Sequence, residues 1–348
     1  MMKKILVTLL ALCLFGCSLK EETKIPSLLD LGYSQEDIDV IETYPEEIQA
    51  VFASEYNQKY VDLMHTDDFD INKLNDYVLY YGSFDNNKLI ELVNRGVINN
   101  DNVETYKSLY NNEYYLTKNE SLYLEYLDQY DNIRDCIEAV NTKTYLPYYT
   151  NVETTDLSKN YCMLVNKYNA LPSDYQPDDL VEIAYEHNAS SSTKYIREEV
   201  YDAYCKMFED ASALGYDFCI CSAFRSYDYQ DGLYYKYLNE DAGGQASVDT
   251  YSARPGHSEH QTGLCLDLYD PQYGMDDFGL SEDSKWVNEN CYKYGFIIRY
   301  TQEKEKITGY QAEPWQVRYV GSPEIAKDIM DRGITFDEYY ACFIEEWK

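Results

Sequence analysis

Two residues seven positions apart, His260 and Asp267, are the first candidates for chemistry in this sequence. Asp267 lies within the apolar run 264–268, where a carboxylate is costly unless it is paired or bound to a cation. Imidazole and carboxylate are both zinc ligands, so the pair indicates a metal site. The spacing leaves a second interpretation open, in which Asp267 is a buried carboxylate bonded to the backbone or to a nearby arginine.

A single arginine, Arg225, follows the apolar run "CICSAF" at the expected start of a helix. A cation at the end of a strand, beside the N–H groups of a helix, can receive a carboxylate. The formal net charge of the chain is −33, so a substrate carboxylate would need such a local positive centre. The spacing is also compatible with a structural arginine paired with Asp228 or Asp231.

Four stretches, read together, resemble the D-alanyl-D-alanine carboxypeptidases of the VanY type, which are zinc peptidases of the M15 family. In chain order they are "SAFRSYDYQ", "YSARPGHSEHQTGLCLDL", "WVNENCYKYGFIIRY" and "EPWQVRYVG". The resemblance covers roughly residues 155–330. It implies a small α+β zinc-peptidase fold and removal of the terminal D-alanine from peptidoglycan stem peptides that end in D-Ala-D-Ala.

The resemblance also implies roles for the metal and its base. His260 and Asp267 correspond to zinc ligands, and Glu313 corresponds to the general base that takes a proton from zinc-bound water. The third zinc ligand of the family is a histidine, and Gln316 occupies that position here.

The substrate contacts implied by the resemblance surround the arginine. Arg225 corresponds to the residue that holds the carboxyl end of the substrate or the developing oxyanion, with Ser222 and Gln230 near it. Ser258 corresponds to a further substrate contact.

Gln316 makes the activity the open question. Catalytic zinc usually has three protein ligands and a water molecule, and an amide oxygen is a weaker donor than an imidazole nitrogen. The other histidines are His65, His187 and His257. His65 falls in the helical region and is expected at the surface, whereas a replacement ligand from His187 or His257 is left open.

Two hypotheses follow from this substitution, and a third follows from the tyrosine-rich repeats. In the first, zinc binds weakly through His260, Asp267 and Gln316, and the peptidase is slow or needs abundant metal. In the second, the site has lost its metal and binds peptidoglycan peptides without cutting them. In the third, the chain is chiefly a protein–protein scaffold that uses a tyrosine-rich surface in residues 33–145.

The elements that would position these residues predict two domains. Residues 146–348 mix helices with short strands without regular βαβ alternation, which indicates an α+β domain. Within it, "YCMLVNKYNALP" has a β-like pattern, and a long helix is predicted over residues 193–214. Residues 33–145 are predicted to form an all-α domain of helical pairs.

An internal repeat supports the helical-pair prediction. "YVLYYGSFDNNKLIELVN" at 77–94 matches "YLEYLDQYDNIRDCIEAVN" at 123–141, which pairs Tyr77 with Tyr123 and Asn94 with Asn141. The offset of 46 to 47 residues falls within the range of helical-pair arrays.

The first residues predict export. Residues 1–16 have a basic start and a short apolar run, and Gly16-Cys17 resembles a bacterial lipoprotein processing box. We therefore expect a lipid anchor on Cys17, a tether over residues 17–32 and a location on the extracellular face of the membrane. The acidic charge argues against nucleic acid as a partner. Eight cysteines follow Cys17, and most are predicted to be small buried residues with their pairing open.

Overall fold

The computed structural model describes residues 27–190 and 192–346. Its contacts divide the chain into two compact units, Met1–Ser108 and Leu109–Lys348. The predicted signal peptide, the anchor Cys17 and the first part of the tether lie outside the described residues. None of the helices in the described ranges is long and apolar enough to cross a membrane.

The first unit consists of short helices that begin at capping residues. Ser34 accepts the backbone N–H of Asp37 in a capping box, as its position before an apolar-periodic run predicts. The apolar faces meet in a core that includes Ile41 and Phe52. The helices are α1 (Leu28–Leu31), α2 (Gln35–Ile41), α3 (Glu46–Phe52), α4 (Gln58–Met64), α5 (Leu74–Tyr80) and α6 (Asn86–Arg95), and the division between the units falls within α7 (Val103–Tyr110).

The two stretches that match in sequence share a hydrogen-bond pattern. The Tyr77 hydroxyl accepts the Asp70 N–H at 3.2 Å and donates to Asn94 Oδ1 at 2.6 Å. The Tyr123 hydroxyl accepts the Leu116 N–H at 3.2 Å and donates to Asn141 Oδ1 at 2.5 Å. Each tyrosine therefore joins the start of its own helix to the end of the helix that follows.

The division at Ser108/Leu109 differs from the domain boundary predicted near residue 145. The second matching stretch belongs to the second unit because its apolar side chains pack with the C-terminal helices. Tyr123, Ile137 and Val140 share one buried cluster with Ile329 and Phe336. This long-range packing leaves no local trace in the sequence.

Of the fifteen tyrosines in residues 33–145, only Tyr56 is exposed, and the others are buried or half-buried. Those that are buried include Tyr33, Tyr77, Tyr106, Tyr114 and Tyr123. Buried tyrosines contribute packing and a satisfied hydroxyl rather than a contact surface. The scaffold hypothesis, which needed a contiguous exposed tyrosine face, loses its motivation.

The strands of the second unit are β1 (Glu153–Thr154), β2 (Asn169–Ala170), β3 (Leu180–Glu182), β4 (Tyr195–Arg197), β5 (Cys219–Ser222), β6 (Cys265–Tyr269), β7 (Phe296–Tyr300) and β8 (Glu313–Tyr319). This unit contains a four-stranded antiparallel sheet with the order β5-β6-β8-β7. Its helices are α8 (Glu120–Tyr126), α9 (Ile133–Asn141), α10 (Glu198–Ser212), α11 (Tyr227–Glu240), α12 (Gly244–Val248), α13 (Glu282–Asn290), α14 (Glu305–Thr308), α15 (Pro323–Arg332) and α16 (Phe336–Tyr339). The predicted α+β character is confirmed for this unit.

The two faces of the sheet differ because side chains alternate along each strand. Leu266, Leu268 and Val317 face the main hydrophobic core. Asp267 pairs across the sheet with Ser222 on β5 and Gln316 on β8, which places these three side chains in one row on the other face. The fold therefore collects residues that are up to 94 positions apart into a single polar row.

Two local predictions are wrong. The stretch "YCMLVNKYNALP" forms a 3-10 turn at Leu157–Cys162 and only the two-residue strand β2, although its apolar side chains are buried. The helix predicted over residues 193–214 begins at Glu198, because β4 precedes it and pairs with β3. Tertiary pairing overrides the helical pattern at that point.

All eight cysteines within the described ranges are free thiols, and four of them are buried.

A buried ionic network joins the loop that carries His260 to the sheet. The Glu259 carboxylate oxygen Oε1 lies 2.9 Å from Arg299 Nε on β7 and 2.7 Å from Arg318 Nη1 on β8. Arg299 Nη1 lies 2.8 Å from Asp337 Oδ2 on α16. Arg318 also donates to the carbonyl oxygen of Met163 at 2.8 Å. All of these charges lack solvent contact, so their mutual pairing is what offsets their desolvation.

We predict that Glu259→Ala destabilises the full chain by about 3–5 kcal/mol, because it leaves two buried guanidinium groups without their shared anion. The free energy of unfolding in urea measures the effect. Asp331→Ala is the matched control, since it removes an acid from the exposed Lys327–Asp331 pair. That control should change stability by less than about 1 kcal/mol. An equally small loss for Glu259→Ala would contradict the role given to the network.

Candidate active site

A cavity of about 280 Å³ opens above the polar row of the sheet. Its walls come from the 3-10 turn Glu259–Thr262, β6, β8, α11 and the segments 251–253 and 310–312. The candidate residues at this cavity are Arg225, Gln230, Ser258, His260, Asp267, Glu313 and Gln316. Ser222 lies directly beside Arg225. The structure thus brings together every site residue that the sequence predicts, although it does not by itself test their roles.

His260 is fixed in one orientation by its surroundings. Its Nδ1 lies 2.7 Å from the carbonyl oxygen of Ala223, and its Nε2 lies 3.3 Å from Asp267 Oδ2. Because a carbonyl only accepts, Nδ1 donates to Ala223, and Nε2 is the ring nitrogen that faces the Asp267 carboxylate. Ser258 accepts the His260 backbone N–H at 3.3 Å and so caps the turn.

The turn that carries His260 ends at a glycine for a steric reason. Gly263 has a φ of 66°, and a Cβ there would lie 2.9 Å from Arg197 Cγ. Only glycine combines the left-handed backbone with that close approach. Gly263 therefore allows the turn to lead directly into β6, where Asp267 follows.

Asp267 is buried and has one oxygen in contact with Arg225. Its Oδ2 accepts from Arg225 Nη2 at 2.8 Å, whereas its Oδ1 is buried without a hydrogen-bond partner. Burial raises the pKa of Asp267, but the adjacent His260 and Arg225 outweigh it and hold the pKa below its usual value. The group is a buried carboxylate. Both interpretations offered for the sequence, an arginine partner and a metal ligand, remain compatible with it.

Arg225 is placed by three contacts at the start of α11. Its Nε donates to Ser222 Oγ at 2.9 Å, and its backbone N–H donates to the His260 carbonyl at 3.2 Å. Ser226, the next residue, caps the helix. The guanidinium pairs with Asp267 rather than with the helix residues Asp228 or Asp231 that the spacing also allowed.

Gln230 faces the same cavity from α11. Its Nε2 donates to the Ala253 carbonyl at 2.8 Å, which fixes the amide so that Oε1 is an acceptor. That Oε1 is buried and has no partner within the described chain. Gln230 therefore ties α11 to the 251–253 wall.

Glu313 lies at the start of β8, opposite Tyr300 of β7. Burial, together with the nearby Asp267 carboxylate, raises the pKa of Glu313 to about 8. A carboxyl of this kind is poised for proton transfer near neutral pH. A cation in the cavity would favour its ionised form.

Gln316 completes the row beside Asp267 and is buried in the cavity wall. Together, these residues offer a divalent metal the His260 Nε2 lone pair, the unpartnered Asp267 Oδ1 and the amide oxygen of Gln316. The donors fit a metal held by two strong ligands and one weak one. No group of three or more His, Cys, Asp or Glu side chains suited to a metal occurs within residues 27–190 and 192–346.

The remaining histidines do not replace the missing ligand in this structure. His187 Nδ1 lies 2.9 Å from the Tyr201 hydroxyl, and its ring packs against Phe208. His257 Nδ1 lies 2.7 Å from the Asn166 carbonyl. His65 lies 2.8 Å from Asp37 and is partly exposed in the first unit.

The aromatic walls of the cavity are not predicted by the sequence motifs. Tyr300, Tyr310, Trp315, Tyr237 and Tyr251 all line it. Tyr300 was detectable in principle, because it ends the strand that must pair with the strand carrying Glu313. The others come from loops and helix faces whose position depends on tertiary packing.

Comparison with known proteins agrees with this geometry. A family model for VanY, described as D-alanyl-D-alanine carboxypeptidase, matches residues 193–322. YodJ of Bacillus subtilis (strain 168) is 41% identical over 194 residues, which are 54% of this chain and 70% of YodJ. VanXYC of Enterococcus gallinarum, named a bifunctional D-Ala-D-Ala dipeptidase and carboxypeptidase, is 31% identical over 186 residues, or 52% of this chain and 94% of VanXYC.

Two solved structures are similar to this chain. The LdcB LD-carboxypeptidase, whose structure is described as revealing the basis of peptidoglycan recognition, has a TM-score of 0.50 at 40% identity. That match covers 56% of this chain and 91% of LdcB. A D,D-pentapeptidase VanY in complex with Zn(II) matches at 30% identity over 51% of this chain and 98% of that one, with a TM-score of 0.45. The chain belongs to the VanY family of D-alanyl-D-alanine carboxypeptidases.

Proposed function

We propose that the second unit binds the carboxyl end of peptidoglycan stem peptides and removes the terminal D-alanine with the help of a weakly held divalent metal, zinc in the family. One observation carries this proposal. A single cavity holds a guanidinium, a half-buried carboxyl of raised pKa and a His–Asp donor pair. The relatives that are named for cleavage at D-Ala-D-Ala support the choice of substrate.

Arg225 is suited to hold the peptide carboxylate. The guanidinium faces the cavity, and its contacts with Ser222 and Asp267 fix its plane. A fixed fork of N–H donors binds a carboxylate with charge-assisted hydrogen bonds. In so acidic a protein, this local cation gives an anionic peptide end a reason to enter the cavity.

Glu313 is suited to move the proton that hydrolysis requires. A divalent metal held by His260, Asp267 and Gln316 would activate a water molecule and polarise the scissile carbonyl. The Glu313 carboxylate would accept a proton from the attacking water and deliver it to the departing amine of D-alanine. Arg225, a few ångströms from Asp267, would stabilise negative charge on the peptide as it is cleaved.

A second candidate function is peptide recognition without cleavage. It is favoured by the neutral amide at Gln316 and by the Arg225–Asp267 contact, which already engages the carboxylate a metal would need. In this case the cavity around Arg225 would still bind the carboxyl end of a peptide, and Glu313 would have no water to activate. Metal affinity separates the two candidates.

The residue that precedes the terminal D-alanine of the stem peptide is the second open question about the substrate. The similar proteins include some named for D-Ala-D-Ala substrates and others named LD-carboxypeptidases. Peptides with a D- or an L-residue before the terminal D-alanine therefore both belong in any assay. We also propose, from residues 1–17, that the protein is lipid-anchored through Cys17 on the extracellular face of the bacterial membrane.

We predict that Gln316→His raises zinc affinity by at least about tenfold, because an imidazole replaces a weak amide donor among the metal ligands. Competition of the full chain with a zinc-binding dye measures the affinity. Gln311→His is the matched control, since Gln311 lines the same cavity outside the polar row. Equal zinc affinity in the wild type and Gln316→His would show that Gln316 is not at a ligand position.

We predict that Arg225→Ala weakens binding of a stem peptide with a free carboxyl end by at least about tenfold, the equivalent of one lost charge-assisted hydrogen bond. Calorimetry on the full chain measures the dissociation constant. A peptide whose carboxyl end is amidated serves as the control and should bind the wild type and the variant alike. If Arg225→Ala weakens both peptides equally, the arginine shapes the cavity and does not read the carboxylate.

We predict that Glu313→Gln, introduced into the Gln316→His chain, lowers kcat for D-alanine release by about 10²–10⁴-fold, the usual contribution of a general base. Zinc content and peptide affinity should be unchanged, because the amide preserves the shape of the side chain. Loss of zinc from this variant would instead make Glu313 a ligand. An unchanged kcat would remove it from the mechanism.

A further inference from the structure

A buried lysine, Lys167, lies behind the cavity wall and has no part in the proposed chemistry. Only 1% of its surface is exposed. Its Nζ donates to the backbone carbonyl of Asp249. The same Nζ lies 3.8 Å from the centre of the Tyr310 ring and 4.8 Å from that of Tyr149. Lys167 Nζ also donates to the Tyr149 hydroxyl at 3.4 Å. Burying a lysine among one carbonyl, one hydroxyl and aromatic faces is energetically costly, which indicates that the residue has a role.

The two segments that Lys167 touches form one side of the cavity. Asp249 leads into residues 251–253, and Tyr310 leads through residues 311–312 to Glu313, all of which line the cavity. Between them, the Gln311 N–H donates to the Thr250 carbonyl at 2.8 Å. Lys167 therefore contacts both segments on the side away from the cavity, at the point where they meet.

The stem of Lys167 also supports the turn before Tyr310. Gly309 has a φ of 73°, and a Cβ there would lie 2.5 Å from Lys167 Cε. The backbone of this turn rests directly on the lysine methylenes. The Tyr149 hydroxyl lies 3.2 Å from the Tyr310 hydroxyl and closes the cage on the other side.

Other charged groups around this cage are already paired. The Asp249 carboxylate accepts from Arg254 Nε at 3.0 Å and Nη2 at 2.7 Å, and from the Tyr234 hydroxyl at 2.8 Å. The Arg254 guanidinium lies 3.9 Å from the centre of the Tyr149 ring, and His257 packs edge-on against that ring. Burial lowers the pKa of Lys167 to about 7. The charged and neutral forms both carry the N–H that the Asp249 carbonyl accepts.

We infer that Lys167 is a positioning residue, which holds the segments 249–253 and 309–313 together and so sets the cavity wall that ends in Glu313. It acts through the Asp249 carbonyl and the Tyr310 ring and touches no substrate. Its effect on the wall stands on these contacts alone, and its effect on peptide affinity rests on the proposed function.

Hydrogen exchange of the full chain tests the wall directly, without peptide or metal. Lys167→Met keeps the apolar stem and removes the donor. We expect the Gln311 amide to exchange at least about tenfold faster, as the loss of one charge-assisted hydrogen bond predicts. Amide exchange in the four-stranded sheet outside residues 309–313 should be unchanged. Lys285→Met, at a lysine that is 64% exposed, is the matched control and should alter neither region.

Two outcomes overturn the inference. One is unchanged exchange in residues 309–313 of Lys167→Met, and the other is a uniform rise throughout the second unit, which would mark a general role in stability. Lys167→Gln repeats the comparison if the methionine variant does not fold. Its shorter side chain should not reach the Asp249 carbonyl, so the same local loss is expected.

Peptide affinity provides the functional arm. Lys167→Met should bind a stem peptide at least about fivefold more weakly, while Lys167→Arg, which retains a buried N–H donor, should recover part of that loss. If the wild type binds no peptide, the proposed function fails while the exchange result still decides the role of Lys167. If it binds peptide and Lys167→Met binds equally well, the positioning role does not extend to the substrate.

Discussion

The geometry of the site depends on one buried carboxylate. Glu259 lies between Ser258 and His260 in sequence, and its Oε1 is shared by Arg299 of β7 and Arg318 of β8. This contact ties the turn that carries the histidine to the strands that carry the remaining polar groups. All three charged groups are buried. Removing any one of them would leave the others as unpaired charges in the protein interior. The spacing of His260 from Asp267 and Gln316 is thereby set by the core and not by a flexible loop.

The same rigidity fixes the position of Gln316 relative to Asp267 and His260. β-Sheet register places it directly beside Asp267, where a third ligand would lie, and the His260 ring is held with its Nε2 facing the carboxylate. The register therefore places an amide, a weaker zinc donor than an imidazole, at the position that corresponds by resemblance to the third zinc ligand of the family. Arg225, which contacts Asp267, offsets part of the negative charge that a bound metal would otherwise neutralise. On the proposed function, this site would bind a peptide end with or without metal, and its hydrolytic activity would depend on metal supply.

Much of this site was predictable from the sequence because its residues fall in short motifs. The motifs around Arg225, His260 and Glu313 contain the predicted site residues, and the structure places these at one cavity. The sequence could not show that Arg225 pairs with Asp267 rather than with Asp228, because that depends on the sheet register. It also placed the domain boundary near residue 145, since the helices α8 and α9 match an earlier stretch. Only tertiary packing shows that they share a core with Phe336. Lys167 gave no signal, because the apolar stretch around it was assigned to a strand.

The release of D-alanine by the full chain, measured at controlled free zinc, tests the central claim most directly. The substrates are stem peptides ending in D-Ala-D-Ala and in an L-residue followed by D-Ala. The account predicts no release after chelation and a rise with added zinc to saturation for at least one of the peptides. Release that persists after chelation, or no release from either peptide at saturating zinc, would contradict it.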